Sequence, residues 1–283
     1  MYSFRIGAML ESFRLPVPEA IKKAAELGVD GLQMFATTGD YAPENITSDR
    51  KKELLSLTDG CGLSFSALCG DLGMSFDVPE RNPSIIEKSK RILDLANELG
   101  TNIVTTHIGL IPEDTGDRRY RIMQDACYEL CRYADLTGSH FAIETGPEKA
   151  ETLRDFLNPF GSTGMAVNLD PANFVMVTGT DPVESVRILS KYIVHTHAKD
   201  GRKLNDATPA QIFGLVPKTE EQKKGRAFEE LPLGQGDVDF ETYLRVLDGT
   251  GYHGYLTIER ECGSDPVHDI ALAVNFLREA VSR

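Results

Sequence analysis

The sequence predicts one α/β domain folded as a (β/α)₈ TIM barrel over residues 1–283, and three observations carry that expectation. Short apolar runs of strand character alternate eight times with helix-spaced patterns in 283 residues, the rhythm of a parallel barrel. Several strand runs are apolar over most of their length, as strands covered on both faces require. No linker, charge block or low-complexity tract divides the chain. The rival fold, an open doubly wound sheet, would carry a GxGxxG turn after its first strand, and this chain has none.

In chain order, Phe4 to Met9 reads as the first strand, and Val17 to Leu27 follows with helical spacing and a closing Gly28. Gly31 to Phe35 is the second strand and Ser48 to Asp59 the second helix. Leu63 to Leu68 is the third strand, leading to a helix from Ser84 to Leu99 that Gly100 stops. Asn102 to His107 is the fourth, with a helix from about Arg119 to Leu136. His140 to Glu144 is the fifth, with a shorter helix from Lys149 to Leu157. Met165 to Asp170 is the sixth; in the helix after it, Asp181 to Leu189, Asp181 caps and Pro182 takes the first position. Tyr192 to His197 is the seventh strand. Phe240 to Leu247 is helical, Tyr255 to Glu259 is the eighth strand, and Val267 to Val281 closes the chain as a helix.

One stretch stays irregular. Gly201 to Asp237 contains Pro209, Pro217, Pro232 and the run Gly234-Gln-Gly236. A connection that long in a compact fold usually has a function. Leaving the strand that carries His197, it is expected to lie as a lid over the C-terminal mouth, the alternative being a surface or dimer-contact excursion.

The strand ends hold the chemistry. In an extended chain His195, His197 and Lys199 share one face, although two histidines so placed are also read as satisfied core residues. Barrel active sites lie at the C-terminal strand ends, and there the fifth to eighth strands finish in Glu144, Asp170, His197 and Glu259, with His107 ending the fourth. Taken singly, acids at strand ends are equally helix caps and turn formers, and Asp170-Pro171 reads as a turn. Together, three crowded carboxylates repel and raise one another's pKa. A divalent cation resolves that conflict, and an oxygen-rich set with one imidazole suits Mn²⁺, Mg²⁺, Co²⁺ or Fe²⁺ ahead of Zn²⁺.

Composition limits the partners. A net charge of -13 argues against nucleic acid. No apolar stretch approaches the roughly 20 residues of a membrane helix, and no secretory signal is recognised. Five cysteines without CxxC pairs suggest reduced thiols and a cytoplasmic protein. Cys127 and Cys131, four apart on a helix, read as packing residues or a metal pair.

The motifs Ala142-Ile-Glu144, Asn168-Leu-Asp170, His195-Thr-His-Ala-Lys-Asp200, Leu233-Gly-Gln-Gly-Asp-Val-Asp239 and Leu256-Thr-Ile-Glu259 resemble the xylose isomerase-like TIM barrels. This group of sugar phosphate isomerases and epimerases includes ketose 3-epimerases, inosose dehydratase, 3-dehydroshikimate dehydratase and endonuclease IV. The resemblance covers essentially the whole chain. It implies one divalent metal, Mn²⁺ first, held by Glu144, Asp170, His197 and Glu259, with His107 reaching the substrate pocket and a homo-oligomeric assembly. Two departures weigh against a free-ketohexose 3-epimerase. Asn173 stands where many relatives have histidine, and can hydrogen-bond a hydroxyl but not act as a base. The fifth strand continues Thr145-Gly-Pro-Glu148 rather than into the longer substrate-binding segment.

The expected chemistry is proton abstraction next to a carbonyl of a sugar, polyol or keto-sugar derivative through a metal-stabilised enediolate. Glu144 and Glu259 are the expected catalytic pair, removing a proton from one face and returning one to the other. Asn173, Lys199 and His195 join His107 as candidate contacts to the substrate. Lys199 and Arg260 are equally read as neutralising carboxylates. Phe13, Phe35 and Phe213 read as packing or as a hydrophobic wall. The alternative is a lyase: a dehydratase, or an enzyme eliminating an aglycone from a 3-keto-glycoside. An AP endonuclease fits poorly with six histidines and this net charge, and a non-catalytic sugar-binding subunit is the remaining reading.

Overall fold

The computed structural model describes residues 2–282. From the N terminus, β1 (Arg5–Met9) leads to α1 (Val17–Leu27), β2 (Gly31–Phe35) to α2 (Ser48–Gly60), and β3 (Ser64–Cys69) to α3 (Asn82–Glu98). Next come β4 (Ile103–Thr106) with α4 (Arg118–Thr137), and β5 (His140–Glu144) with α5 (Ala150–Leu157). After β6 (Met165–Leu169) the chain forms the short α6 (Pro171–Asn173) and then α7 (Pro182–Leu189). β7 (Ile193–Ala198) passes into an excursion of β8 (Asp200–Lys203), α8 (Pro209–Ile212) and β9 (Phe228–Leu231). The chain closes with α9 (Phe240–Gly249), β10 (Tyr255–Ile258) and α10 (Pro266–Ser282). Eight parallel strands close in the order β1-β10-β7-β6-β5-β4-β3-β2, a single-domain TIM barrel.

Local chemistry sets the helix ends. Gly28 closes α1 at φ 79°, a left-handed position that favours glycine. Asp181 caps α7 by accepting from the Val183 N–H (2.8 Å), with Pro182 in the first turn as its missing N–H permits. Each helix then buries one stripe against the barrel. On α4 that stripe is Tyr120, Met123, Cys127, Leu130, Cys131 and Ala134. Cys127 and Cys131 are thus core residues, and the Leu130→Ala truncation would cost about 2–5 kcal/mol.

The barrel interior is more polar than the strand patterns suggest. Gln33, Thr105, Asn168, His195, His197 and Thr257 are all buried. Two irregularities of register, at Leu32/Gln33 against β3 and at Val167/Asn168 against β7, accompany this polar layer. The second sets Asn168 beside His195.

The excursion differs from the irregular loop expected. β8 and β9 pair antiparallel from Asp200↔Leu231 to Lys203↔Phe228, so the segment carries its own small sheet. Asp200 ties it shut: Oδ1 accepts from the N–H groups of Gly201 (2.8 Å) and Val238 (3.2 Å), and Oδ2 from Gly234 and Gly236 (both 2.9 Å). A Cβ on Gly236 would lie 2.1 Å from Asp200 Oδ1, so only glycine lets the backbone approach so closely. The run Gly234-Gln-Gly236 is therefore half of a clasp. Among the described residues, no helix is long and apolar enough to cross a membrane.

Candidate metal centre

Four strands deliver one cluster. Glu144 is the last residue of β5, Asp170 follows β6, His197 is the penultimate residue of β7, and Glu259 follows β10. One donor atom from each lies within 4.8 Å of the others. His197 Nδ1 is 3.2 Å from Glu259 Oε2, 3.5 Å from Glu144 Oε1 and 3.6 Å from Asp170 Oδ2. Asp170 serves two roles at once. Its Oδ1 caps α6, accepting from the Ala172 (2.8 Å) and Asn173 (3.1 Å) N–H groups. Its Oδ2 is buried with no hydrogen-bond partner, and so is His197 Nδ1.

The donor set fits a hard divalent cation. Ligands about 2.1 Å from a common ion stand roughly 3.0–3.4 Å apart, close to the separations around His197 Nδ1. The electrostatics point the same way. Burial alone would push His197 down, but the charges of Glu259 and Glu144 hold it well above the usual imidazole range. A site that forces a proton onto a buried histidine is one that calls for positive charge. His197 Nε2 lies 3.1 Å from Gln33 Oε1 and 3.2 Å from Asn168 Nδ2; with Nδ1 committed to a cation, Nε2 would keep the proton and donate it to Gln33 Oε1, whose Nε2 donates to Thr105 Oγ1 (2.9 Å).

Around the cluster, Lys199 Nζ lies 3.0 Å from both Glu259 Oε2 and Glu261 Oε1. Burial opposes its charge and works against that of Glu259 too, yet the pair, with His197, keeps Glu259 well below the usual carboxylate range. Asn173 Nδ2 donates to Glu144 Oε1 (3.3 Å) and to the Thr145 carbonyl (3.1 Å). That contact needs Gly146, whose φ is 146° and whose added Cβ would lie 2.6 Å from Asn173 Cβ. Arg260 turns away into ion pairs with Glu230 and Asp269.

His107, partly exposed, places Nδ1 3.1 Å from Asp71 Oδ2 and Nε2 3.9 Å from Glu144 Oε1. Burial works against its charge, but Glu144 and Asp71 raise its pKa to about 9. Sequence reasoning missed Asp71. It lies two residues past β3, so the strand-end rule applied to Cys69-Gly-Asp71 would have found it.

His195 corrects an expectation. It is buried one layer beneath His197, with Nδ1 3.1 Å from Asn168 Oδ1 and Nε2 3.2 Å from Thr257 Oγ1 and 3.4 Å from Ser66 Oγ. Burial, then the neighbouring His197, pushes its pKa well down. It is a neutral core histidine with its nitrogens occupied, and the substrate contact assigned to it is withdrawn. Depth along the strand is the reason, because residues two apart on a strand face the same interior at different depths. Of the three aromatic residues, Phe13 is buried in the core, Phe35 is partly buried at the end of β2, and Phe213 is half exposed on the excursion.

A family model described as xylose isomerase-like TIM barrel matches residues 21–280. A 3-dehydroshikimate dehydratase of Bacillus anthracis is 24% identical over 84% of this chain and 84% of its own. Among solved structures, a xylose isomerase domain protein from Planctomyces limnophilus superposes with a TM-score of 0.76 at 24% identity, covering 99% of this chain and 96% of that one. A D-tagatose 3-epimerase-like protein superposes at 0.74 with 20% identity, covering 99% and 98%.

Proposed function

The chain belongs to the xylose isomerase-like TIM barrel family, and from that premise we propose that it is a divalent-metal-dependent isomerase or epimerase. Its substrate would be a sugar, polyol or keto-sugar derivative, activated by proton abstraction next to a carbonyl. The observation that carries this reading is the cluster of Glu144, Asp170, His197 and Glu259, with two buried donor atoms aimed at one point and lacking any partner. These four residues would hold the ion, Mn²⁺ first, with Mg²⁺, Co²⁺, Fe²⁺ or Zn²⁺ as alternatives. Bound there, it supplies Lewis-acid polarisation of a carbonyl oxygen.

The chain's own residues do the rest. Glu144, from β5, and Glu259, just after β10, come from strands on either side of β7 in the barrel order, and one would take a proton from a substrate carbon while the other returns one. Asn173 orients Glu144, and Lys199 keeps Glu259 ionised. Return of the proton to the opposite face gives epimerisation, and return to the adjacent carbon gives isomerisation. A lyase is the second reading, favoured by the Asp71–His107 pair, which adds a proton-transfer group 3.9 Å from Glu144 for expulsion of a β-hydroxyl, and by the similarity to a dehydratase. Free thiols at all five cysteines support a reducing, cytoplasmic setting, and the net charge of -13 supports a small-molecule partner rather than nucleic acid. A homo-oligomer completes the proposal.

Elemental analysis of wild type beside Glu144→Gln and His197→Ala tests it. About one metal per chain, lost in both variants, together with solvent deuterium uptake into a keto-sugar, is the expected result. No metal after reloading would leave the acids structural and favour a binding role.

A further inference from the structure

Among the loops that follow the strands carrying His107 and Glu144 lies a cavity of about 620 Å³, within the range of small-molecule sites. One wall is the loop after β4 from Leu110, three residues beyond His107. A second is Pro147-Glu148-Lys149, beginning three residues beyond Glu144. The third is the excursion at Asp206–Ala210. The other charged side chains around it have partners: Lys149 pairs with Glu113 (3.3 Å), Arg119 with Asp117 (2.7 Å), Lys203 Nζ donates to the Val177 carbonyl (2.8 Å), and Asp114 and Asp206 accept from the Gly116 N–H (2.8 Å) and Gln222 Nε2 (3.0 Å). Glu148 is the exception. It is 5% exposed, and neither carboxyl oxygen has a hydrogen-bond partner. The N–H groups of Ile111 and of Glu148 itself lie near enough to favour its charge, as does His107, without completing a hydrogen bond. A buried carboxyl left without a partner is costly, and a donor supplied at this wall would relieve that cost.

We infer that this cavity is a second subsite of the proposed active site, in which Glu148 bonds a hydroxyl-bearing group attached to the sugar that the metal centre holds. The substrate class is then a sugar conjugate, such as a keto-sugar carrying a second ring, rather than a free monosaccharide. This rests on the metal-dependent reading of the active site. Burial of the acid supports it, since burial raises the carboxyl to about 8 and keeps its proton available for donation near neutrality.

The test uses metal-loaded wild type, Glu148→Gln and Glu148→Leu, titrated by saturation-transfer NMR with D-fructose and with three ketose disaccharides, lactulose, turanose and isomaltulose. These present a second ring from different positions of the same keto-sugar. At least one should bind tenfold or more tightly than D-fructose, with its second ring the more strongly saturated. That ratio should collapse towards one in Glu148→Leu and largely survive in Glu148→Gln, which still donates and accepts. Disaccharides binding no better than D-fructose, or an advantage that persists in Glu148→Leu, overturns the subsite. Metal content separates the two ideas. Bound metal without a disaccharide advantage sinks the subsite alone, whereas discrimination by a chain that holds no metal sinks the enzymatic reading and leaves a sugar-binding cavity.

Discussion

His197 Nδ1 and Asp170 Oδ2 face each other 3.6 Å apart, both buried and both without a hydrogen-bond partner. Two such atoms left unfilled destabilise the fold, so occupancy should be visible as stability. Chelator-stripped protein is expected to melt at lower temperature than protein with excess Mn²⁺. At a hundredfold excess over Kd the gain is about 2.7 kcal/mol. Calorimetry with and without Mn²⁺ checks this, and a shift of equal size in His197→Ala would sink it.

Gln33 fixes the imidazole that presents Nδ1. Replacing it by leucine removes the acceptor for His197 Nε2 and frees the ring to take the wrong tautomer. Metal affinity should fall by about 10- to 100-fold, read by competition with a chelating dye. Unchanged affinity would show that packing alone orients the ring.

Glu148 gives the protein a pH dependence with a defined sign. Its pKa is about 8 in the fold, raised by burial from an ordinary 4.5, with His107 the opposing charge that faces it. Between those values the folded chain holds a proton that the unfolded chain has released. Stability from this group is therefore present at low pH and lost as pH rises to about 8. Glu148→Gln should flatten that slope and gain about 3–5 kcal/mol over wild type at pH 9. Urea titrations at pH 5, 7 and 9 decide it, and parallel slopes for the two proteins would count against the buried acid.

His195 is assigned to the core. His195→Leu leaves Asn168 Oδ1 without its imidazole partner and should cost about 1–3 kcal/mol while one metal still binds per chain. Loss of metal without loss of stability would return His195 to the site.

Asp200 holds both ends of the excursion through four N–H groups. Asp200→Ala should expose residues 201–237 to proteolysis while the barrel survives, which limited trypsin digestion would read. Cleavage spread evenly over the barrel would argue against a local clasp.

What was legible in the sequence is what repeats locally. Strand and helix patterns follow from side-chain periodicity, and caps such as Asp181-Pro182 from backbone hydrogen bonding, so eight βα units and the strand-end acids could be counted without coordinates. The excursion's hairpin was hidden because the partners of β8 lie some 30 residues away, with no alternation to announce them. Depth was hidden too. His195 and His197 are equivalent by period, and only the closed barrel sets one beneath the other, against Asn168 and Thr257 rather than among carboxylates. Asp71, Gln33 and Glu148 gain their meaning from neighbours far along the chain. By itself the sequence determined which residues stand at the barrel mouth, because strand length and order are local properties. Which of them face one another, which are satisfied and which lack a partner was decided by tertiary structure, because hydrogen bonding and burial depend on distances that only closure of the barrel defines.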